Sequence, residues 1–363
     1  MNRSGHYALK PETRRGRGAT LQVPGRFESM ARLTFDDGWQ APMEDAPLPL
    51  KTTVTVEHAK SVIQKQTSPD LPFDKSVNAY RGCEHGCIYC YARPSHAYLN
   101  LSPGLDFETK LYAKPDAPEL LREALATRGY SCSPIALGTN TDPYQPIERE
   151  WKITRQILEV LAAHRHPVSI VTKNALIERD LDILADMARD NLATVYVSVT
   201  TLNGDIARRM EPRATAPHRR LRTIRKLTDA GVPCGVMVAP VVPFLTDAEM
   251  EDILEAARDH GAQSAGYTLL RLPYEVKDLF RDWLKAHYPL KADHIMSRLH
   301  AMRDGRDNDS TFGQRFSGDG LFAELLKQRF AMACARLGLN RREHQLDTSL
   351  FRIPEREGQL ALF

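Results

Sequence analysis

The chain has 363 residues, 42% of them hydrophobic, and a formal net charge of only +3. That length suits one large barrel-type core plus extensions rather than several small domains, and the charge is too small to argue nucleic-acid binding from bulk electrostatics, although pI ≈ 8.5 does not oppose it. The six cysteines, three clustered and Cys132, Cys234 and Cys334 far apart, are not a disulfide framework, and no apolar run approaches a membrane span or a signal-peptide core, so a soluble, cytoplasmic protein is expected.

Residues 1–70 are rich in Arg, Pro, Thr and Gly with little periodicity, and are expected to be an irregular, partly disordered extension. Within them Arg14-Arg15-Gly16-Arg17-Gly18 reads as a mobile basic segment, solvated or touching phosphates. From residue 76 a βα rhythm begins, with strands over 76–80, 135–138, 168–172, 193–199, 234–239 and 266–270 and helices over 148–163, 177–189, 218–230 and 247–260. Strands alternating with helices predict parallel units with right-handed crossovers, hence an α/β protein with a partial, open (β/α)6 TIM-type barrel over 71–272. A C-terminal helical extension follows over 273–345, in which Leu279, Phe280, Trp283 and Leu284 repeat at helical spacing. There the glycine-rich stretch 312–320, carrying Phe312, Arg315 and Phe316, precedes a helix over 321–337; it either stacks a base and holds a phosphate or only reverses the chain. Residues 346–363 read as a flexible tail.

The most informative motif is Cys83, Cys87 and Cys90 in the run Arg81-Gly82-Cys83-Glu84-His85-Gly86-Cys87-Ile88-Tyr89-Cys90-Tyr91. Thiolates are soft ligands, and a short loop can point three of them at three corners of one iron-sulfur cube while leaving a fourth metal open. Structural zinc with His85 or His96 as fourth ligand is the alternative, although the paired C-x2-C grouping of such sites is absent. Barrel chemistry gathers at the carboxyl ends of strands, which are polar in this chain: Thr139 to Asp142 after the second, Lys173 after the third, Ser198 at the end of the fourth. Asp142 can equally cap its own Asp-Pro turn, and a lone lysine at a strand end is usually solvated.

The C-x3-C-x2-C loop between a strand and an amphipathic segment resembles the signature of the radical S-adenosylmethionine enzymes. The runs 76–91, 139–148, 197–212 and 231–243 are similar to the spore photoproduct lyase-like branch of that superfamily. The resemblance implies a [4Fe-4S] cluster on Cys83, Cys87 and Cys90, S-adenosylmethionine as cofactor, its reductive cleavage to a 5′-deoxyadenosyl radical, and a flavodoxin- or ferredoxin-type reductant. It further implies Tyr89 near the adenine, Thr141 and Asp142 at the methionine ammonium, Lys173 and Ser198 at the carboxylate or ribose, and Ala239 lining the site from the end of the fifth strand. Arg213 is implied as a carboxylate clamp, or else a salt-bridge partner of Glu211 or another acid. One departure stands out: the lyase's hydrogen-donating cysteine precedes the acidic turn, where this chain has Gly138 and Thr139. Cys132 lies before the strand, and Tyr144 beside the turn is a packing residue or a radical relay.

The final Gln359-Leu360-Ala361-Leu362-Phe363 resembles the peptide by which bacterial replication and repair proteins dock on the DNA sliding clamp, with a glutamine for a polar rim and apolar residues for a groove. Together these features predict a radical enzyme acting on DNA in lesion repair or modification. The alternatives are a clamp-associated protein with structural zinc, or radical chemistry on a non-DNA substrate.

Overall fold

The computed structural model describes residues 7–8, 16–27, 50–341 and 345–353. In chain order the strands are β1 (Tyr7–Ala8), β2 (Leu21–Gln22), β3 (Thr53–Val56), β4 (Ile63–Lys65), β5 (Lys75–Val77), β6 (Tyr80–Arg81), β7 (Lys110–Ala113), β8 (Ile135–Leu137), β9 (Val168–Thr172), β10 (Ala193–Ser198), β11 (Cys234–Val241) and β12 (Ser264–Leu269). Seven form one open sheet in the order β12-β11-β10-β9-β8-β5-β4, parallel throughout except for the antiparallel edge strand β4. Strands β3, β7 and β6 make a second sheet, and β1 pairs with β2. The architecture is thus mixed α/β with a predominantly parallel, unclosed sheet.

Neighbouring parallel strands follow one another through the chain, so all their carboxyl ends lie along one edge, and the residues after each strand meet there. The helices behind the sheet carry apolar residues at 3.6-residue spacing. In Ile153–Ala163, for example, Ile153, Ile157, Leu158 and Leu161 are buried against Leu121 and Leu125 of helix Ala117–Leu125. Each such side chain removed from water contributes about 1.5–3 kcal/mol.

Several boundaries differ from expectation. The strand expected over 76–80 divides: β5 pairs with β8, whereas β6 leaves the main sheet to pair with β7. Asn78 stands at the division, its Oδ1 accepting from the backbone N–H of Asn140 at 3.1 Å and of Thr141 at 3.4 Å. The helix expected over 148–163 is broken at Lys152, which adopts φ 50°. Helices Asp106–Thr109 and Ala117–Leu125 were not expected.

The N-terminal expectation is corrected for residues 16–18. Arg17 is buried, donating to the Glu108 carbonyl and to Leu50 O and Thr52 Oγ1, each at 2.9 Å, and Gly18 and Ala19 donate their N–H groups to the Glu108 carboxylate. This segment is held on its other side by helix Val276–His287, where Thr20 Oγ1 donates to Asp282 Oδ2 at 2.6 Å. That helix buries Leu279, Phe280, Trp283 and Leu284, the apolar stripe read from the sequence. Arg14 and Arg15 lie outside the described residues. The expected tail also proves packed over its first part: Asp347 N donates to Asn191 O, Arg352 N donates to His164 O, and Phe351 sits against Tyr130 and His166. Among the described residues no helix is long and apolar enough to cross a membrane.

Candidate active site

The cysteine loop leaves β6 and is clamped from every side. Cys83 N donates to Phe107 O at 2.9 Å and Ile88 N to Met210 O at 3.0 Å. Gln145 accepts from Glu84 N at 3.0 Å and donates to Gly82 O at 3.1 Å. Arg93, fully buried, donates to Cys87 O at 2.9 Å and Gly86 O at 3.2 Å, and its charge is met by Glu108 at 2.5 Å. Gly82 and Gly86 have φ +73° and +67°, and a Cβ at Gly82 would stand 2.8 Å from Phe107 O, so both the turn and the close approach need glycine.

All three thiols are free; Cys87 and Cys90 act electrostatically on Cys83, and Cys90 on Cys87. Burial pushes all of them up: Cys83 aided by Asp142; Cys87 with Glu211 adding and Lys173 and Arg220 opposing; Cys90 against the pull of Arg93 and Lys173. Metal binding replaces the thiol protons, and three cations beside the loop favour the thiolates so formed. The other cysteines are elsewhere. Cys132 precedes β8 and Cys234 begins β11, at the amino ends of the strands on the opposite edge, and Cys334 lies in helix Leu321–Leu337.

Both histidines considered as a fourth zinc ligand have partners within the protein. Asn174 Nδ2 donates to His85 Nε2 at 3.0 Å, leaving the ring proton on Nδ1, which faces Asp142 Oδ2 at 3.4 Å. His96 Nε2 lies 2.9 Å from Lys110 O, with its ring against Phe107.

Four of the residues read from the sequence meet beside the loop. Lys173 Nζ donates to Ser198 Oγ at 2.9 Å and stands 5.9 Å from the centre of the Tyr89 ring. Ser198 Oγ is 3.3 Å from Ala239 O, at the end of β11. Thr141 and Asp142 are also at this edge and have partners within the protein: Thr141 Oγ1 donates to Tyr80 O at 3.4 Å, and Asp142 accepts from Thr172 Oγ1, Lys173 N and Tyr144 N. Burial would raise the Asp142 pKa; His85 and these donors outweigh it and hold it down to about 2. Asp142 therefore does cap its own turn. Arg213 stands apart, partly exposed, 3.2 Å from Glu84 Oε1, so its acid is Glu84 and not Glu211.

Glu211 instead anchors a network that sequence reading missed. Buried, it accepts from Tyr89 OH, from Thr200 Oγ1 at 2.7 Å and from Arg220, whose Nη1 also donates to Ser198 O at 2.9 Å. Burial alone would push Glu211 up; Arg220 chiefly, with Lys173, Tyr89 and Thr200, holds it at about 2. Thr200 was within reach of the strand-end rule that found Ser198. Arg220 carried no such signal, sitting in a helix, Pro217–Asp229, among other cations. Tyr144 is fully buried beside Asp180 and Glu148, a packing position. Gly138 has φ +91°, and a Cβ there would lie 2.0 Å from Val171 O, so no side chain can project from it.

Residues 77–257 match the Radical SAM superfamily model. An uncharacterized protein of Mycobacterium tuberculosis is 38% identical over 233 residues, 63% of this chain and 68% of its own length. An uncharacterized protein of Methanocaldococcus jannaschii is 27% identical over 53% of this chain and 71% of its own. In fold the chain is similar to spore photoproduct lyase complexed with dinucleoside spore photoproduct, with TM-score 0.55 and 15% identity, covering 79% of this chain and 80% of that one. The chain belongs to the radical SAM superfamily and is a radical SAM enzyme. The family uses a [4Fe-4S] cluster and S-adenosylmethionine, and the donor set at Cys83, Cys87 and Cys90 fits such a cluster.

Proposed function

We propose that Cys83, Cys87 and Cys90 hold the [4Fe-4S] cluster, that Lys173, Ser198 and Tyr89 receive S-adenosylmethionine, and that the substrate from which hydrogen is taken is DNA, in lesion repair or modification. In this reading the open sheet is a partial (β/α)6 barrel and the residues after its strands form the reaction chamber. The observation that carries it is the meeting of three free thiols with the Lys173–Ser198 pair at one carboxyl edge. Once bound, the cluster and its cofactor supply a reducing electron and a 5′-deoxyadenosyl radical.

The protein supplies placement. The Lys173 ammonium donates to a neutral hydroxyl, so a cofactor carboxylate can take over that contact and gain a charge-assisted hydrogen bond. Tyr89 is fixed by Glu211 and Thr200, which holds its ring beside the thiols. Support for a DNA substrate comes from the fold likeness to spore photoproduct lyase and from the clamp-like peptide 359–363, which lies outside the described residues. Gly138 excludes a donor side chain at its own position, so the final hydrogen donor differs from a cysteine there.

The test is 5′-deoxyadenosine production by anaerobically reconstituted chain and by the triple Cys83, Cys87, Cys90→Ala variant. Product from the wild type alone is expected; product from both, or from neither when iron is stoichiometric, overturns the assignment. For the terminal peptide, surface plasmon resonance on immobilised sliding clamp is expected to show binding that disappears when the last five residues are deleted; unchanged binding would refute it.

A further inference from the structure

A cationic and aromatic patch lies beside Tyr91, the residue after the third cysteine. Arg271 follows β12 at the carboxyl edge, with its guanidinium 5.1 Å from the centre of the Phe316 ring. Among the described residues it makes no hydrogen bond or ion pair, and its Nε is buried without a partner. Arg303 is wholly buried behind it, donating to Leu270 O at 2.7 Å and Arg315 O at 3.3 Å, again with Nε unpartnered. Arg315 lies 4.6 Å from Phe316 and 5.2 Å from the exposed Phe312. Tyr91, exposed and next to Cys90, interacts electrostatically with Arg271 and Arg315.

The charge balance is uneven. Asp70 neutralises Arg315 through a two-pronged pair and acts on Arg271 only at a distance, while Asp309 acts on Arg303 only at a distance, its Oδ1 taking Thr311 N at 2.8 Å. Burial and then Arg315 lower the Arg271 pKa, and burial and then Arg271 hold Arg303 down to about 10. Desolvated guanidinium groups without a carboxylate in direct contact are costly unless an anion arrives. Planar guanidinium suits phosphate oxygens, and exposed rings flanking such cations are the stacking platform of single-stranded nucleic-acid sites.

We propose that Arg271, backed by Arg303, binds the backbone phosphate of a single-stranded or extruded nucleotide, whose base stacks on Phe312 or Tyr91 with the sugar directed toward the cysteine loop. This deepens the DNA reading above by assigning its substrate contact, yet the test is independent of radical chemistry. Fluorescein-labelled decathymidylate would be titrated with the full-length chain, without reductant or S-adenosylmethionine, and anisotropy followed. Arg271→Gln is expected to weaken binding at least tenfold and the exposed Phe312→Ala severalfold, while Arg189→Gln, on an outer helix, keeps wild-type affinity. Oligoglutamate of equal charge is expected to bind at least tenfold more weakly. Equal or tighter binding of oligoglutamate would assign the patch to acidic peptides and overturn the proposal, as would unchanged affinity in both Arg271→Gln and Phe312→Ala, or no binding by wild type. None of these outcomes depends on cluster assembly, so the two readings fail separately.

Discussion

Glu108 Oε2 accepts a hydrogen bond from Gly18 N at 2.9 Å, across 90 residues of sequence, and the same carboxylate neutralises Arg93, which grips the carbonyls of Gly86 and Cys87. The N-terminal segment is thereby part of the wall behind the cysteines.

Gly18→Ala tests that wall. A Cβ at residue 18 would lie 1.7 Å from Gly86 O, a backbone atom that cannot swing aside. Overpacking of this kind costs about 1–3 kcal/mol. A lowered thermal midpoint and less iron per chain after reconstitution are expected; wild-type values for both would show that the segment does not shape the loop.

Glu211→Gln should be among the most damaging single changes, because it leaves the Arg220 cation buried without its acid. Removing one partner of a buried pair typically costs about 3–5 kcal/mol. Chemical denaturation of Glu211→Gln, Arg220→Met and the double variant measures the coupling. The double variant is expected to recover part of the loss, and strict additivity would contradict the pairing.

Lys173→Met and Arg213→Ala separate two cations that the sequence treated alike. Lys173 stands by Ser198, Tyr89 and the thiols, whereas Arg213 is engaged by Glu84 at the outer side of the loop. Loss of a charge-assisted hydrogen bond worth about 1.5–3 kcal/mol should raise the S-adenosylmethionine dissociation constant about tenfold or more in Lys173→Met, and under about threefold in Arg213→Ala. Equilibrium dialysis, with iron content measured alongside, decides it; the reverse order would move the carboxylate contact to Arg213.

Stability should fall as pH drops from about 6.5 to about 4. His166 is wholly buried, receives Tyr130 OH at 2.8 Å and packs against Phe351; burial lowers its pKa to about 4. Between that value and the unfolded 6.5 the unfolded chain binds the extra proton, so the neutral ring's contribution is complete above the window and is lost on acidification, up to about 3 kcal/mol. Urea midpoints measured across this range should flatten in His166→Gln, and an unchanged slope would assign it to other groups.

Strand and helix periodicity made the parallel α/β core legible: β9 and helix Leu321–Leu337 have the bounds read from the sequence, and the three-cysteine spacing identified the family. These are local signals, set by burial period and by the reach of a short loop. Glu211, Arg220, Arg93 and Glu108 gave no such signal, since an acid and a base many residues apart become partners only when folding removes both from water. The same holds for Arg17 and Gly18. By composition they read as a solvated arm, but the depth of their docking depends on the space left between Gly86, Glu108 and helix Val276–His287, which no linear pattern encodes. Pattern along the chain therefore determined the class of cofactor chemistry, while tertiary packing decided which charges are buried together, which cysteines share an edge, and which arginine is left without a direct ion pair.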